Sequence, residues 1–239
     1  PIISTQPAAA QDVCLNSPST AISAAVSGGL GTVSYAWYSN STQTLPGTIL
    51  PGANTNTVTP ANTPAGISYY YMVATLSGNG CNAATSNFST VTVQALPTVT
   101  ATPLDNSICF GTTTDIVASG ASSYVWTPDL TITSPANVAT VTVAPIGSVT
   151  YTVQGTDTFG CVNTATATVV AATQLNVQEN ITTNICYQTC TGAIALTPSG
   201  SGSSYTVAWN TAGVTGLNPQ NLCPGNYTYT VTDNLTCSF

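Results

Sequence analysis

The stretch VTYTVQGTDTFGCVNTATATVV, residues 149–170, carries the fold in its alternation. β-Branched and aromatic residues recur at every second position on both sides of DTFG, a turn-forming tetrapeptide. Period-two alternation is the mark of a strand with one face buried, and a turn between two such runs makes a hairpin with Cys161 at its tip. The same alternation appears in TVTVQ (90–94), ATVTVAP (139–145) and YTYTVT (227–232), with Thr commonly on the outward face. Turn signals such as SGG at 27–29, LPG at 45–47, SGNG at 77–80 and SGSGSS at 199–204 separate the runs, and no stretch has helical periodicity. The predicted class is all-β: tandem Ig-like antiparallel β-sandwiches, stapled by disulfides.

Working outward from the hairpin, the order Cys, Trp, Tyr, Cys occurs three times: Cys14, Trp37, Tyr71, Cys81; Cys109, Trp126, Tyr151, Cys161; Cys186, Trp209, Tyr227, Cys237. In each copy the Tyr stands ten residues before the second Cys. A fixed order of marks at a regular period signals repeated domains. Boundaries near QALPTVT (94–100) and VAATQLN (170–176) give domains 1–97, 98–172 and 173–239. Domains this small have marginal cores and call for reinforcement.

Composition narrows the function classes. The 239 residues contain no Lys, Arg or His and seven acids, a net charge of −7. Without imidazole, ammonium or guanidinium, no side chain of ordinary pKa titrates near neutrality, binds phosphate as a cation or activates a Ser or Cys. The reading is therefore of a protein that is not an enzyme and has no cofactor. A wholly anionic surface also argues against nucleic acid and anionic lipid as partners. With 43% apolar residues the chain is expected to fold, and it has no apolar run of membrane-spanning length. Trypsin-like proteases find no site, and Lys-dependent isopeptide links are closed to it.

Eight cysteines without His point to disulfides and an oxidising, extracellular compartment. Cys186 and Cys190 form a C-x-x-x-C with no partner motif, a weak zinc signal. Each second Cys lies at a hairpin tip and each first Cys precedes an early strand. Closing one end of each sandwich predicts Cys14 with Cys81 and Cys109 with Cys161. The spacing of 51 from Cys186 to Cys237, against 52 from Cys109 to Cys161, predicts that pair as well and leaves Cys190 with Cys223. Trp37, Trp126 and Trp209 are expected in the cores with Tyr71, Tyr151 and Tyr227 packed against them.

The segments ASSYVWTPDL (121–130), CTGAIALTPSG (190–200) and NLCPGNYTYTVTDNLTC (221–237) resemble the Ig-like, PKD-like and SprB-type repeats of large Bacteroidetes cell-surface adhesins. Those repeats end in a Tyr-Thr-Val-Thr-Asp-x-x-x-Cys hairpin, matched by Tyr229 to Asp233 and Cys237. The resemblance is closer over the second and third repeats than over the first. It implies export by a type IX system, display at the cell surface and a part in gliding motility or attachment, and it brings no catalytic residues. The absence of Lys and Arg departs from the family's pattern.

The functional expectation is a structural or adhesive repeat segment of a surface adhesin or extracellular filament. Its partners would be adjacent repeats of the same or an identical chain and a surface glycan or other cell-surface ligand, with no membrane insertion. Two alternatives are carbohydrate-binding accessory domains of a secreted polysaccharide-degrading enzyme and a filament subunit joined by strand donation. Asp157 and Asp233, each four residues before a hairpin Cys, are expected to bind turn amides; calcium is the weaker reading because no D-x-D-x-[DN] loop accompanies them. Asp12, Asp105, Asp115, Asp129 and Glu179 are scattered. Of Tyr69, Tyr70 and Tyr71, at least one must point away from the core. Sequons stand at Asn40, Asn87, Asn180, Asn226 and Asn234. The text stops at Phe239, a strand short of a third sandwich, and is expected to be an excerpt of a longer array.

Overall fold

The computed structural model describes residues 1–78, 83–127, 130–183, 189–200 and 202–239. Cys81, Asp129 and Cys186 lie outside the described residues. Among the described residues every regular element is a strand, in Ig-like β-sandwiches. Two compact units emerge: residues 1–97 with 156–162, and residues 98–155 with 163–239. Three hydrophobic clusters fill them, within 13–93, 108–171 and 175–231.

In the first repeat the main sheet runs Ala10–Cys14, Ser89–Gln94, Gly66–Leu76, Val33–Asn40, Thr48–Ile49, with Ala84–Thr85 beside Gly66–Leu76. Ile2–Thr5 pairs with Ala25–Ser27, and Ile22–Ser23 with Thr57–Val58. Alternation sets the faces: Val91 and Val93 of Ser89–Gln94 point inward with Trp37, Tyr70, Met72 and Ala74. Ala10–Cys14 runs parallel to Ser89–Gln94, placing Cys14 opposite Gln94, the last residue of the closing strand.

The second repeat reuses the plan. One sheet holds Thr100–Pro103, Thr114–Ser119 and Thr140–Val143; the other holds Ser107–Ile108, Val162–Ala171, Ser148–Thr156 and Ser123–Trp126. Ser107–Ile108 is parallel to Val162–Ala171, with Ile108 opposite Ala171. The strand-end cysteine of each of these two repeats therefore sits beside the end of its closing strand. Trp126, Val141, Val143, Tyr151, Val153 and Val169 are sealed from solvent in this core.

The third repeat pairs Asn176–Thr182 with Ala193–Ser199 and Tyr205–Trp209 with Tyr229–Asp233. After a turn at 233–237 the chain returns beside Val231, with Val231 and Phe239 exchanging backbone hydrogen bonds. Its core is smaller: Leu175, Leu196 and Val231 are buried, with Trp209 only partly so.

Candidate functional site

The hairpin turns before Cys161 and Cys237 share one construction. Asp157 N donates to Cys161 O, and Asp157 Oδ1 accepts from Phe159 N at 2.8 Å and Cys161 N at 2.9 Å. Asp233 repeats this bond for bond, accepting from Leu235 N at 2.8 Å and Cys237 N at 2.9 Å. Each carboxylate thus serves the turn amides and fixes its cysteine's backbone, as expected from the position of the two acids. No group of three potential metal ligands gathers among the described residues. The residue before each cysteine takes positive φ: Gly160 at 86° and Thr236 at 68°. Glycine adopts that conformation freely, whereas a β-branched side chain is strained in it.

Two outcomes follow for urea unfolding of this hairpin. Asp233→Ala removes two charge-assisted bonds from a buried site and is expected to cost about 2 kcal/mol. Thr236→Gly relieves the left-handed strain and is expected to gain about 1 kcal/mol. A loss on Thr236→Gly would show that its side chain contributes more than the turn geometry demands.

The bridges differ from those expected. Cys14 is bonded to Cys161 and Cys109 to Cys237, each with Cα atoms 5.5 Å apart. The predicted pairs Cys14–Cys81, Cys109–Cys161 and Cys186–Cys237 are therefore corrected, since Cys14, Cys109, Cys161 and Cys237 are committed elsewhere. Geometry supplies the reason. Cys161 immediately precedes Val162–Ala171, whereas Cys109 follows Ile108, which is opposite Ala171 at the other end of that strand. At about 3.3 Å per residue the two cysteines lie about 30 Å apart along the sandwich, and a disulfide requires Cα atoms within about 7 Å. The near-equal spacings of 51 and 52 mark equivalent positions and not bonded ones. Cys190 is bonded to Cys223.

Both corrected bridges run from the strand-end cysteine of one repeat to the hairpin cysteine of the next. The first belongs to the unit that gathers residues 156–162 with the first repeat, and the second lies within the other unit.

The three tryptophans each donate Nε1–H to a backbone carbonyl: Trp37 to Thr55 at 2.9 Å, Trp126 to Val138 at 3.0 Å and Trp209 to Gly216 at 3.0 Å. Trp37 and Trp126 are fully buried, while Trp209 is half-buried. Tyr151 lies in the core with Trp126 and bonds through its hydroxyl to Thr131 Oγ1. Tyr71 is buried as expected, at 2% exposure, but its expected place against Trp37 is corrected. In the register Trp37 faces Met72 and Tyr38 faces Tyr71, so Tyr71 emerges on the opposite face from Trp37, and Tyr70 takes the core place. Tyr71 stacks on Tyr38 at 5.0 Å, meets Phe88 edge-on at 5.2 Å, and accepts a bond from Gly47 N. Tyr227 is a second correction. It precedes the strand Tyr229–Asp233, stands outside the third cluster and donates to Cys223 O. Tyr229 is the ring against Trp209, at 5.2 Å. The ten-residue spacing from the hairpin cysteine matched sequence positions without fixing which face each Tyr occupies.

Tyr229 also donates its hydroxyl to the Glu179 carboxylate. Desolvation first, then this hydrogen bond and the nearby negative charge, push the phenol up to about 12. The neutral phenol is favoured in the folded chain, so its stabilising contribution is complete below the ordinary tyrosine value near 10 and is lost as pH rises toward about 12. Ultraviolet titration is expected to show one tyrosine ionising late, and Glu179→Gln should bring it down without restoring it fully. A titration unchanged by that substitution would leave desolvation as the entire cause.

Residues 4–95 match the model of a family described as a domain of unknown function (DUF8696). No curated protein matches the chain in sequence. Among solved structures the chain is similar to the N-terminal eight Ig domains of Down syndrome cell adhesion molecule, at 13% identity and a TM-score of 0.44. That match covers 96% of this chain and 40% of the other, so the chain spans well under half of that relative's length. It is also similar to Drosophila OTK extracellular domains 3–5, at 12% identity and a TM-score of 0.35, covering 99% and 94% of the two chains. Fibronectin(III)-like modules of Clostridium thermocellum CbhA match at 16% identity and a TM-score of 0.32, covering 69% of this chain and 92% of theirs.

Proposed function

We propose that this chain is a structural and adhesive repeat segment of a bacterial cell-surface adhesin or extracellular filament of the SprB-like kind, acting mechanically and without catalysis. The observation that carries this reading is the pair of bridges from each strand-end cysteine to the next repeat's hairpin. The bridges limit how far tension applied between the termini can extend the oxidised chain. The shortest covalent route runs through residues 1–14, 161–190 and 223–239 by way of Cys14–Cys161 and Cys190–Cys223. That route is about a quarter of the chain's fully extended length. The missing Lys and Arg fit the same role, since they leave an exposed fibre no trypsin-type cleavage site.

The reading is tested by immunogold labelling of intact source cells. Label along surface fibres supports it; label confined to the cell interior, or hydrolysis of polysaccharide by the purified chain, sinks it. A glycan array shared by the intact chain and a Tyr38→Ala variant tests the accessory carbohydrate-binding alternative. Specific binding lost in the variant would replace the adhesive-filament reading with that one.

A further inference from the structure

The third repeat carries a cleft that its core does not explain. Residues 217–222 run beside the strand Ala193–Ser199. Leu196 N donates to Leu217 O at 2.8 Å, Ile194 N donates to Pro219 O at 3.1 Å, and Gly192 and Leu222 exchange backbone bonds. The step from Pro219 to Leu222 is therefore one residue longer than the step from Gly192 to Ile194 opposite it, which makes a bulge. Asn221 sits in the bulge at a φ of 56°, a left-handed conformation that Asn tolerates better than most side chains. Pro219 and Leu222 are buried and Leu217 packs against the third cluster, while Asn218, Gln220 and Asn221 are exposed. All three amides line one cleft of about 530 Å³, together with Thr215 and Tyr227.

Tyr227, which the core does not use, is tied at the cleft by its hydroxyl, which donates to Cys223 O at 2.8 Å. Cys223 follows the bulge directly and is bonded to Cys190, so a disulfide holds the end of the segment that presents the amides. Every residue lining the cleft is uncharged, so it offers no ion pair to an anionic or cationic ligand. Among the described residues no hydrogen bond engages the side chain of Asn218, Gln220 or Asn221. Each amide carries a donor and an acceptor side by side, the complement of neighbouring hydroxyl groups, and the Tyr227 ring adds an apolar surface for C–H groups. The volume falls within the roughly 300–1,000 Å³ typical of small-ligand sites. We propose that this cleft binds a neutral saccharide, with Asn218, Gln220 and Asn221 holding its hydroxyl groups and Tyr227 packing against its ring. The inference rests on the adhesive reading above and gives that adhesion its ligand class, a neutral glycan.

The test is binding of the intact, oxidised chain to an array of neutral gluco-, manno-, galacto- and N-acetylglucosamine oligosaccharides, with uronic-acid and sulfated oligosaccharides beside them. Binding to at least one neutral series and to none of the acidic ones is expected. Asn218→Ala and Gln220→Ala each truncate an exposed side chain and are expected to weaken that binding about tenfold, the effect of losing one or two hydrogen bonds. Either variant decides the point by itself, with unchanged hydrogen exchange over Tyr229–Asp233 as the sign of a folded repeat. Tyr227→Phe keeps the ring but loses the bond to Cys223 O, and should weaken binding less than Tyr227→Ala. Tyr38→Ala should bind as the intact chain does, since Tyr38 belongs to the first repeat. Binding to no neutral oligosaccharide, or binding that both amide variants retain in full, overturns the inference. Fibre labelling that persists in that event would leave the proposed function standing and the inference alone rejected.

Discussion

Replacing Cys14 and Cys161 by Ser is expected to lower the unfolding free energy of the unit they close by about 4–5 kcal/mol. The bridge spans 147 residues, and the chain-entropy model assigns about 5 kcal/mol to closing so long a loop, against about 4 for the 50-residue loops that within-repeat pairing would make. Bridging between repeats therefore stabilises more per bond than bridging within one, because it restrains two repeats of the unfolded chain at once. Urea unfolding, followed by hydrogen exchange in the peptide covering Gly66–Leu76, reads the effect where it belongs. Single replacement of Cys161 should cost as much as the double one, since either removes the whole bond. Unchanged exchange protection would show that the hairpin at 156–162 is held by its own turn bonds and not by the bridge.

Trp126→Ala is expected to cost about 3–5 kcal/mol, and Trp209→Ala about half as much. Trp126 is fully buried among Ile116, Val141, Val143, Tyr151 and Val169, so truncation leaves a cavity that stiff strands on both sheets cannot close. It also strips Val138 O of its donor. A domain of about 75 residues has roughly 4–11 kcal/mol of stability in all, so the loss takes a large part of it. Trp209 is half-exposed and packs against Tyr229 beside a core of three buried side chains, leaving less to lose. Exchange in Ser148–Thr156 and Tyr229–Asp233 separates the two effects. Equal costs would mean that the third repeat depends on its ring as fully as the second does.

Much of the local architecture was legible because it is written in adjacent residues. Alternation in residues 149–170 predicts the two strands and the turn between them, and the structure has Ser148–Thr156 and Val162–Ala171 there. Asp157 and Asp233 were readable as turn anchors because an Asp reaches amides two to four residues on without help from elsewhere. The side of the sheet taken by Tyr71 was harder to read. Tyr69, Tyr70 and Tyr71 are consecutive, and a displacement of one position exchanges one face of the sheet for the other. Pairing of Trp37 with Met72 decided that Tyr70 faces in. Tyr227 was misread for a different reason, since its strand begins two residues later, at Tyr229.

The amino-acid sequence by itself determined that this chain is all-β and joined by disulfides, and it contains no Lys, Arg or His. These properties follow from alternation, counting and composition, which act over a few residues or over the whole chain at once. Only the tertiary structure decided which sulfur meets which. In the second repeat a parallel early strand carries Cys109 to the far end of the closing strand, while the hairpin keeps Cys161 at its start. About 30 Å of strand then lies between these two cysteines, which look like partners in the sequence, and Cys109, like Cys14, is bonded one repeat further along the chain.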